Sequence, residues 1–170
     1  MLNNVVLIGF MGSGKTSTGR ILARAINSIL IDIDSLIESN LGISINDVFN
    51  TFGEEYFRDY ERHVCSFIRD NINNAVISTG GGTPMIYDVK KLGKVVYLDI
   101  TLNDAISRVK NSKDRPKLKD DVYKLYDSRK EVYKKSADVV VESKNSLDSI
   151  VSDILMKLDI KKGLVDVCTS

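Results

Sequence analysis

The chain has 170 residues, 43% of them apolar, and a formal net charge of +1. That length suits one domain with one sizeable core, and the near-neutral balance gives no electrostatic footprint for nucleic acid or a membrane surface. No apolar run reaches membrane-spanning length, and residues 1–10 lack the charged start and long apolar stretch of a signal peptide, so the chain reads as cytoplasmic.

The first apolar segment, Val5–Gly9, is predicted as a strand. It runs into Gly9-Phe10-Met11-Gly12-Ser13-Gly14-Lys15-Thr16, which fits G-x-x-x-x-G-K-[ST] without mismatch. From Thr16 to Ala25, the spacing of Ile21, Leu22 and Ala25 predicts a helix. A strand, a glycine loop and a helix in that order make a phosphate cradle. Glycines let backbone N–H groups turn toward phosphate oxygens, and the helix N-terminus adds positive dipole. Lys15 is placed to reach the β- and γ-phosphates, and the Thr16 hydroxyl to serve a magnesium ion. The motif therefore points to ATP or GTP.

Further strands are predicted at Ile29–Ile33, Ala75–Ser78, Val95–Leu98 and Asp138–Val141. All five are apolar runs without alternation, as in strands covered on both faces. Helical patterns separate them. In the last, Leu147, Ile150, Val151, Ile154, Leu155 and Leu158 share one face, with Asn145 or Ser146 placed to cap it. Alternating strands and helices indicate an α/β fold with a parallel sheet and right-handed crossovers. Residues 161–170 carry no pattern. Cys65 and Cys168 have no metal or redox spacing and read as free thiols, and the single His63 reads as an ordinary helix residue.

Ligands of such sheets bind beyond the carboxyl ends of the strands. The second strand ends in Asp32-Ile33-Asp34. Residues two apart in a strand face the same way, so one carboxylate is placed to serve a metal and the other a substrate hydroxyl. A solvated pair, with Asp34 capping a helix from near Ser35, is the plainer alternative. The third strand ends in Gly80-Gly81-Gly82, which calls for either a sharp turn or close approach of backbone to ligand. Its place beside the phosphate loop favours the second.

Two helices carry charges on apolar stripes. From about Glu54 to Asp70, Glu61 lies among Phe57, Tyr60, Val64 and Ile68, with Arg58 within reach at i−3. From about Asp121 to Lys135, Arg129 lies among Val122, Leu125, Tyr126 and Tyr133. Either arginine alone can snorkel to water. Together they suit a pocket that grips an anion, since the guanidinium fork matches a carboxylate. Between Val109 and Val122, residues 110–121 are highly charged and broken by Pro116. They read as a lid carrying Arg115, or as a solvated loop.

With these loops placed, the chain resembles the shikimate kinases over about residues 1–158. The resemblance rests on the phosphate loop, Asp32-Ile33-Asp34, Phe57-Arg58-Asp59-Tyr60-Glu61, Gly80-Gly81-Gly82, Arg115-Pro116, and Arg129 four before Tyr133. It implies a three-layer αβα P-loop kinase fold in a single domain, residues 1–160, with substrate-binding helices at about 34–72 and a five-stranded parallel sheet ordered 2-3-1-4-5. It implies transfer of the ATP γ-phosphoryl group to the 3-hydroxyl of shikimate, on the route to chorismate and aromatic amino acids, by a monomer using Mg²⁺.

By the same resemblance, Asp34 contacts the shikimate hydroxyls. Arg58, Arg129 and the run Gly80, Gly81 and Gly82 hold the substrate, and Glu61 supports the arginines. Lys15 and Arg115 stabilise the transferred group, and Thr16 and Asp32 serve the metal. Gly12, Ser13, Gly14, Lys15, Thr16, Ser17, Arg108 and Arg115 form the nucleotide site, with Arg108 near adenine and a residue near Lys144 or Asn145 beside it. Lys117 departs from the family's pattern, which continues with leucines after Arg-Pro. A nucleoside monophosphate kinase would carry Thr-Gly-Asp and Asp-Gly-Phe-Pro-Arg motifs, which are missing. A gluconate-type kinase would not be expected to carry the triple glycine. A non-catalytic ATP-binding subunit would have no need of Lys15, Thr16, Asp34 and Arg115 together.

Overall fold

A computed structural model describes residues 3–110 and 121–161. Its centre is β1 (Val5–Ile8), an apolar run buried at every position. β1 pairs with β3 (Ala75–Ser78) on one side and β4 (Lys94–Asp99) on the other; β2 (Ile29–Asp32) and β5 (Val139–Glu142) form the edges. All pairings are parallel and the order is β2-β3-β1-β4-β5, as the resemblance implied.

The two faces of β1 feed two cores, because successive side chains point to opposite sides. Val5 and Leu7 pack with Leu22 of α1 (Lys15–Ala25) and with Ile150 and Ile154 of α7 (Leu147–Lys157). Val6 and Ile8 pack with Ile33 and Ile37 of α2 (Ile33–Leu41), Phe57 and Val64 of α3 (Ile45–Asn71) and Tyr133 of α6 (Asp121–Ser136). Each fully buried Val, Leu or Ile side chain contributes about 1.5–3 kcal/mol. Helices on both faces of the sheet make three layers.

The expectation that all five strands are buried fails at the edges. Ile29 of β2 is 64% exposed, and Val140 of β5 faces water. An edge strand has one neighbour, so an apolar sequence there is not covered on every side. β2 also stops before Ile33, which opens α2 because the Asp32 side chain accepts a hydrogen bond from Ser35 N at 3.1 Å and caps that helix. Asp34 is thus a first-turn residue and not the cap. The helix expected from Glu54 does start there: Gly53, with φ 84° and ψ 170°, leaves the helical region and divides α3 into two helical segments, the first of them, residues 45–52, behind a Ser44 cap. Ser146 caps α7.

At the amino ends of the strands, buried Asn4 ties three segments together. Its side chain accepts from Ala75 N at 2.9 Å and donates to Ile72 O and Leu92 O at 2.8 and 2.9 Å. At the carboxyl ends, Leu7 and Asp32 both register with Ser78. The loops after β1, β2 and β3 therefore emerge side by side. The chain reverses its direction of travel across the sheet at β1, between β3 and β4, which is where such sheets bind ligands.

Candidate active site

The phosphate loop owes its path to glycine. Gly12 and Gly14 have φ of 75° and 82°, in the left-handed region that side chains disfavour. Gly14 precedes α1, so the first N–H groups of that helix open toward the loop. Lys15 Nζ donates to Gly9 O at 2.8 Å and Phe10 O at 3.3 Å, which holds it across the loop. Burial lowers the Lys15 pKa to about 8, against the pull of Asp34 and Asp32; Arg129 lowers it further.

The loop is clasped from the side of β5. The Ser143 hydroxyl, fully buried, donates to Ser13 O at 2.7 Å. Arg108 Nη1 donates to Ser143 Oγ at 2.9 Å and to Gly12 O at 3.2 Å, and its Nη2 donates to Ser143 O. Arg108 thus sits on the rim of the loop. Ser143 escaped the sequence reading, since one small polar residue after an apolar run carries no signal. Its neighbours Lys144 and Asn145 are exposed just beyond it.

The Thr16 hydroxyl donates to Asp32 Oδ2 at 2.6 Å. Two hard oxygen donors stand together at the edge of the loop, a set that suits a hard divalent cation shared with phosphate oxygens. Among the described residues no group of three or more His, Cys, Asp or Glu is placed to hold a metal alone. Asp34, in the first turn of α2, is half-buried. Burial raises its pKa to about 6; Glu61, Asp32 and Glu38 add to the rise and Lys15 opposes it.

Three consecutive glycines bring the remaining groups together. A Cβ on Gly80 would lie 2.7 Å from Asp34 Oδ1 and 3.0 Å from Glu61 Oε1. On Gly81 it would lie 3.2 Å from Arg129 Nη1, and on Gly82 it would lie 2.7 Å from Arg58 Nη1. None of the three has a positive φ. The run is therefore explained by close approach of side chains from other elements and not by a left-handed backbone. Glycine here makes room for an acid, an arginine and a second arginine in succession.

Arg58 does not snorkel. Its side chain is 16% exposed, its Nη1 donates to Glu61 Oε2 at 2.7 Å, and its guanidinium lies 5.1 Å from the Phe57 ring centre. Its outer edge reaches Glu54 Oε1 at 3.0–3.2 Å. Glu61 is fully buried. Tyr133 also reaches the run, donating its hydroxyl to Gly81 O at 2.5 Å, and burial pushes its pKa up to about 12. Burial likewise holds the Cys65 thiol near 12, which removes it from thiolate chemistry.

The sequence profile of the family described as shikimate kinase matches residues 11–159. The chain belongs to the shikimate kinase family. It is 42% identical to a shikimate kinase of Sulfurihydrogenibium sp. (strain YO3AOP1), an alignment covering 92% of this chain and 98% of that one. It superposes with a TM-score of 0.82 on the crystal structure of shikimate kinase from Aquifex aeolicus, at 34% identity over 92% and 96% of the two chains. Against a shikimate kinase from Acinetobacter baumannii in complex with shikimate, the TM-score is 0.86 at 28% identity, covering 93% of each. The family consists of ATP-using kinases, so a divalent cation is part of its chemistry.

Most of the site residues read from the sequence meet at one edge of the sheet: the phosphate loop with Arg108, Asp32, Asp34, Arg58, the glycine run and Arg129. Arg115, with residues 111–120 of the expected lid, lies outside the described residues, as do residues 162–170 with Cys168. Among the described residues no helix is long and apolar enough to cross a membrane.

Proposed function

We propose that this member of the family transfers the γ-phosphoryl group of ATP to the 3-hydroxyl of shikimate through the residues gathered around the glycine run. The observation that carries the reading is the succession Gly80, Gly81, Gly82. Each gives up its side chain to one group that a polyhydroxylated carboxylate needs: a hydroxyl acceptor, then two guanidinium forks.

Asp34 accepts a hydrogen bond from the attacking hydroxyl and aligns it with the phosphoryl group held by the loop. With a pKa near 6, its carboxylate is ionised at neutral pH and basic enough to assist proton removal. Arg58 and Arg129 grip the carboxylate at the far end. Lys15 carries the positive charge nearest the loop, and backbone N–H groups at the start of α1 surround the phosphates. Thr16 and Asp32 would hold Mg²⁺, which would supply positive charge to neutralise the phosphates. Arg108 and Ser143 keep the loop in shape beside the adenine site. Arg115 completes the transferred group's charge balance by its place in the family pattern. The protein works in the cytoplasm, as a monomer with small-molecule substrates alone.

The test is ADP release from ATP and Mg²⁺ with shikimate, AMP or gluconate as acceptor. Turnover with shikimate alone is expected. Arg58→Ala and Arg129→Ala should each raise the shikimate KM by the equivalent of about 2–5 kcal/mol. Turnover with AMP or gluconate instead would overturn the assignment of both arginines.

A further inference from the structure

We propose that Thr83 is a positioning residue for substrate binding, acting through Glu61 on Arg58. The proposal rests on reading Arg58 as part of the carboxylate clamp. Glu61 is fully buried on α3, and a buried carboxylate must have both oxygens satisfied. Oε2 accepts from Arg58 at 2.7 Å. Oε1 accepts from the Thr83 hydroxyl at 2.5 Å. Thr83 is itself fully buried and opens the short helix α4 (Thr83–Ile86), directly after the glycine run.

A hydroxyl has one proton to give. Gly80 O lies farther from Thr83 Oγ1, at 3.0 Å, and carries no charge. The hydroxyl proton therefore goes to the nearer and charged oxygen, Glu61 Oε1. This bond sets the plane of the Glu61 carboxylate, and with it the direction in which Arg58 Nη1 is held. The outer partner of Arg58 cannot substitute, because Glu54 is 68% exposed and surface pairs hold geometry weakly. The same bond fastens the glycine run to α3: a Cβ on Gly80 would lie 3.0 Å from Glu61 Oε1 and 3.2 Å from Thr83 Oγ1. Thr83 thus couples the two walls of the clamp while standing behind both.

The experiment compares Thr83→Val, which keeps the shape without the hydroxyl, with Thr83→Ser, which keeps the hydroxyl. Thr83→Val should raise the shikimate KM about tenfold while the ATP KM and kcat stay within about twofold. Thr83→Ser should return the shikimate KM to within about twofold of wild type. If the Val variant does not fold, Thr83→Ala supplies the same comparison. A folded variant without the hydroxyl and with the wild-type shikimate KM overturns the proposal, as does a serine variant as impaired as the valine one. Wild-type protein without shikimate-dependent ADP release, or Arg58→Ala with an unchanged shikimate KM, overturns the underlying reading and this proposal with it. A responsive wild type and a sensitive Arg58→Ala beside an insensitive Thr83→Val overturn this proposal alone.

Discussion

Gly82 lies against the guanidinium of Arg58: a Cβ on Gly82 would stand 2.7 Å from Nη1 and 2.9 Å from Cζ. The atoms in the way are the tip of a flexible side chain, so Gly82→Ala is expected to cost less than about 1 kcal/mol of stability. It moves the guanidinium instead. Displacing a positioning group by a fraction of an ångström should raise the shikimate KM about tenfold. Gly81→Ala, with 3.2 Å to Arg129 Nη1, should do less. Steady-state kinetics with parallel thermal melts checks both, and a Gly82→Ala protein with wild-type KM would separate Arg58 from substrate binding.

Asp34 trades stability for reactivity. Its pKa is about 6 in the folded protein against 3.8 for the free side chain. Below about pH 3.8 the carboxyl is protonated in both states and its ionisation costs nothing. As pH rises the unfolded chain releases its proton first, so the folded state loses ground until the cost is complete above about pH 6. Asp34→Asn should therefore depress turnover at least about 100-fold and yet stabilise the protein at pH 7 by about 1 kcal/mol, a figure reduced for partial exposure. The gain should vanish at about pH 3.5. Urea denaturation at both pH values tests this. An Asn variant less stable than wild type at pH 7 would refute the strain assigned to Asp34.

Lys15 and Asp34 set opposite limbs of the pH profile. In the proposed reaction Asp34 is ionised to accept the hydroxyl proton, and Lys15 is charged to meet phosphate. With pKa values of about 6 and about 8, kcat/KM should rise through the first and fall through the second. Each group lies in the field of the other, so the two limbs belong to the pair. Asp34→Asn should lose the acid limb in its residual activity. A flat profile from about pH 5 to 9 would count against both roles.

Asn4 is a test of the opposite kind, because it serves the fold from the far end of the strands. Asn4→Ala leaves Ala75 N–H and the Ile72 and Leu92 carbonyls without their side-chain partner. It should cost about 2–3 kcal/mol in equilibrium unfolding. The KM values for ATP and shikimate should stay at wild-type levels in the folded fraction. A change in either KM would mean that the amino ends of the strands communicate with the site.

The local features were legible because they depend on neighbours in the chain. The strand, loop and helix around Lys15 follow from apolar runs and the backbone freedom of glycine, and the family pattern follows from the order of its motifs. Glu61 and Arg129 stood out as charges on apolar stripes, since a 3.6-residue period places them without any knowledge of the partner helix. Other features depend on what the chain packs against. Ile29 and Val140 look like core until the sheet gives β2 and β5 one neighbour each. Asp32 and Asp34 looked like a strand pair, but the Ser35 N–H captured Asp32 and started a helix between them. Thr83 and Ser143 carry no signal of their own, and Tyr133 shows only as a member of an apolar stripe and of the family pattern. Their hydrogen bonds join residues 22, 130 and 52 positions apart, and only the packed sheet edge brings those partners within reach. The sequence by itself determined the phosphate loop, the charges that must face inward and the family. The tertiary structure decided why the glycines are glycines: each meets a side chain from a distant element, and that distance is set by packing and not by spacing along the chain.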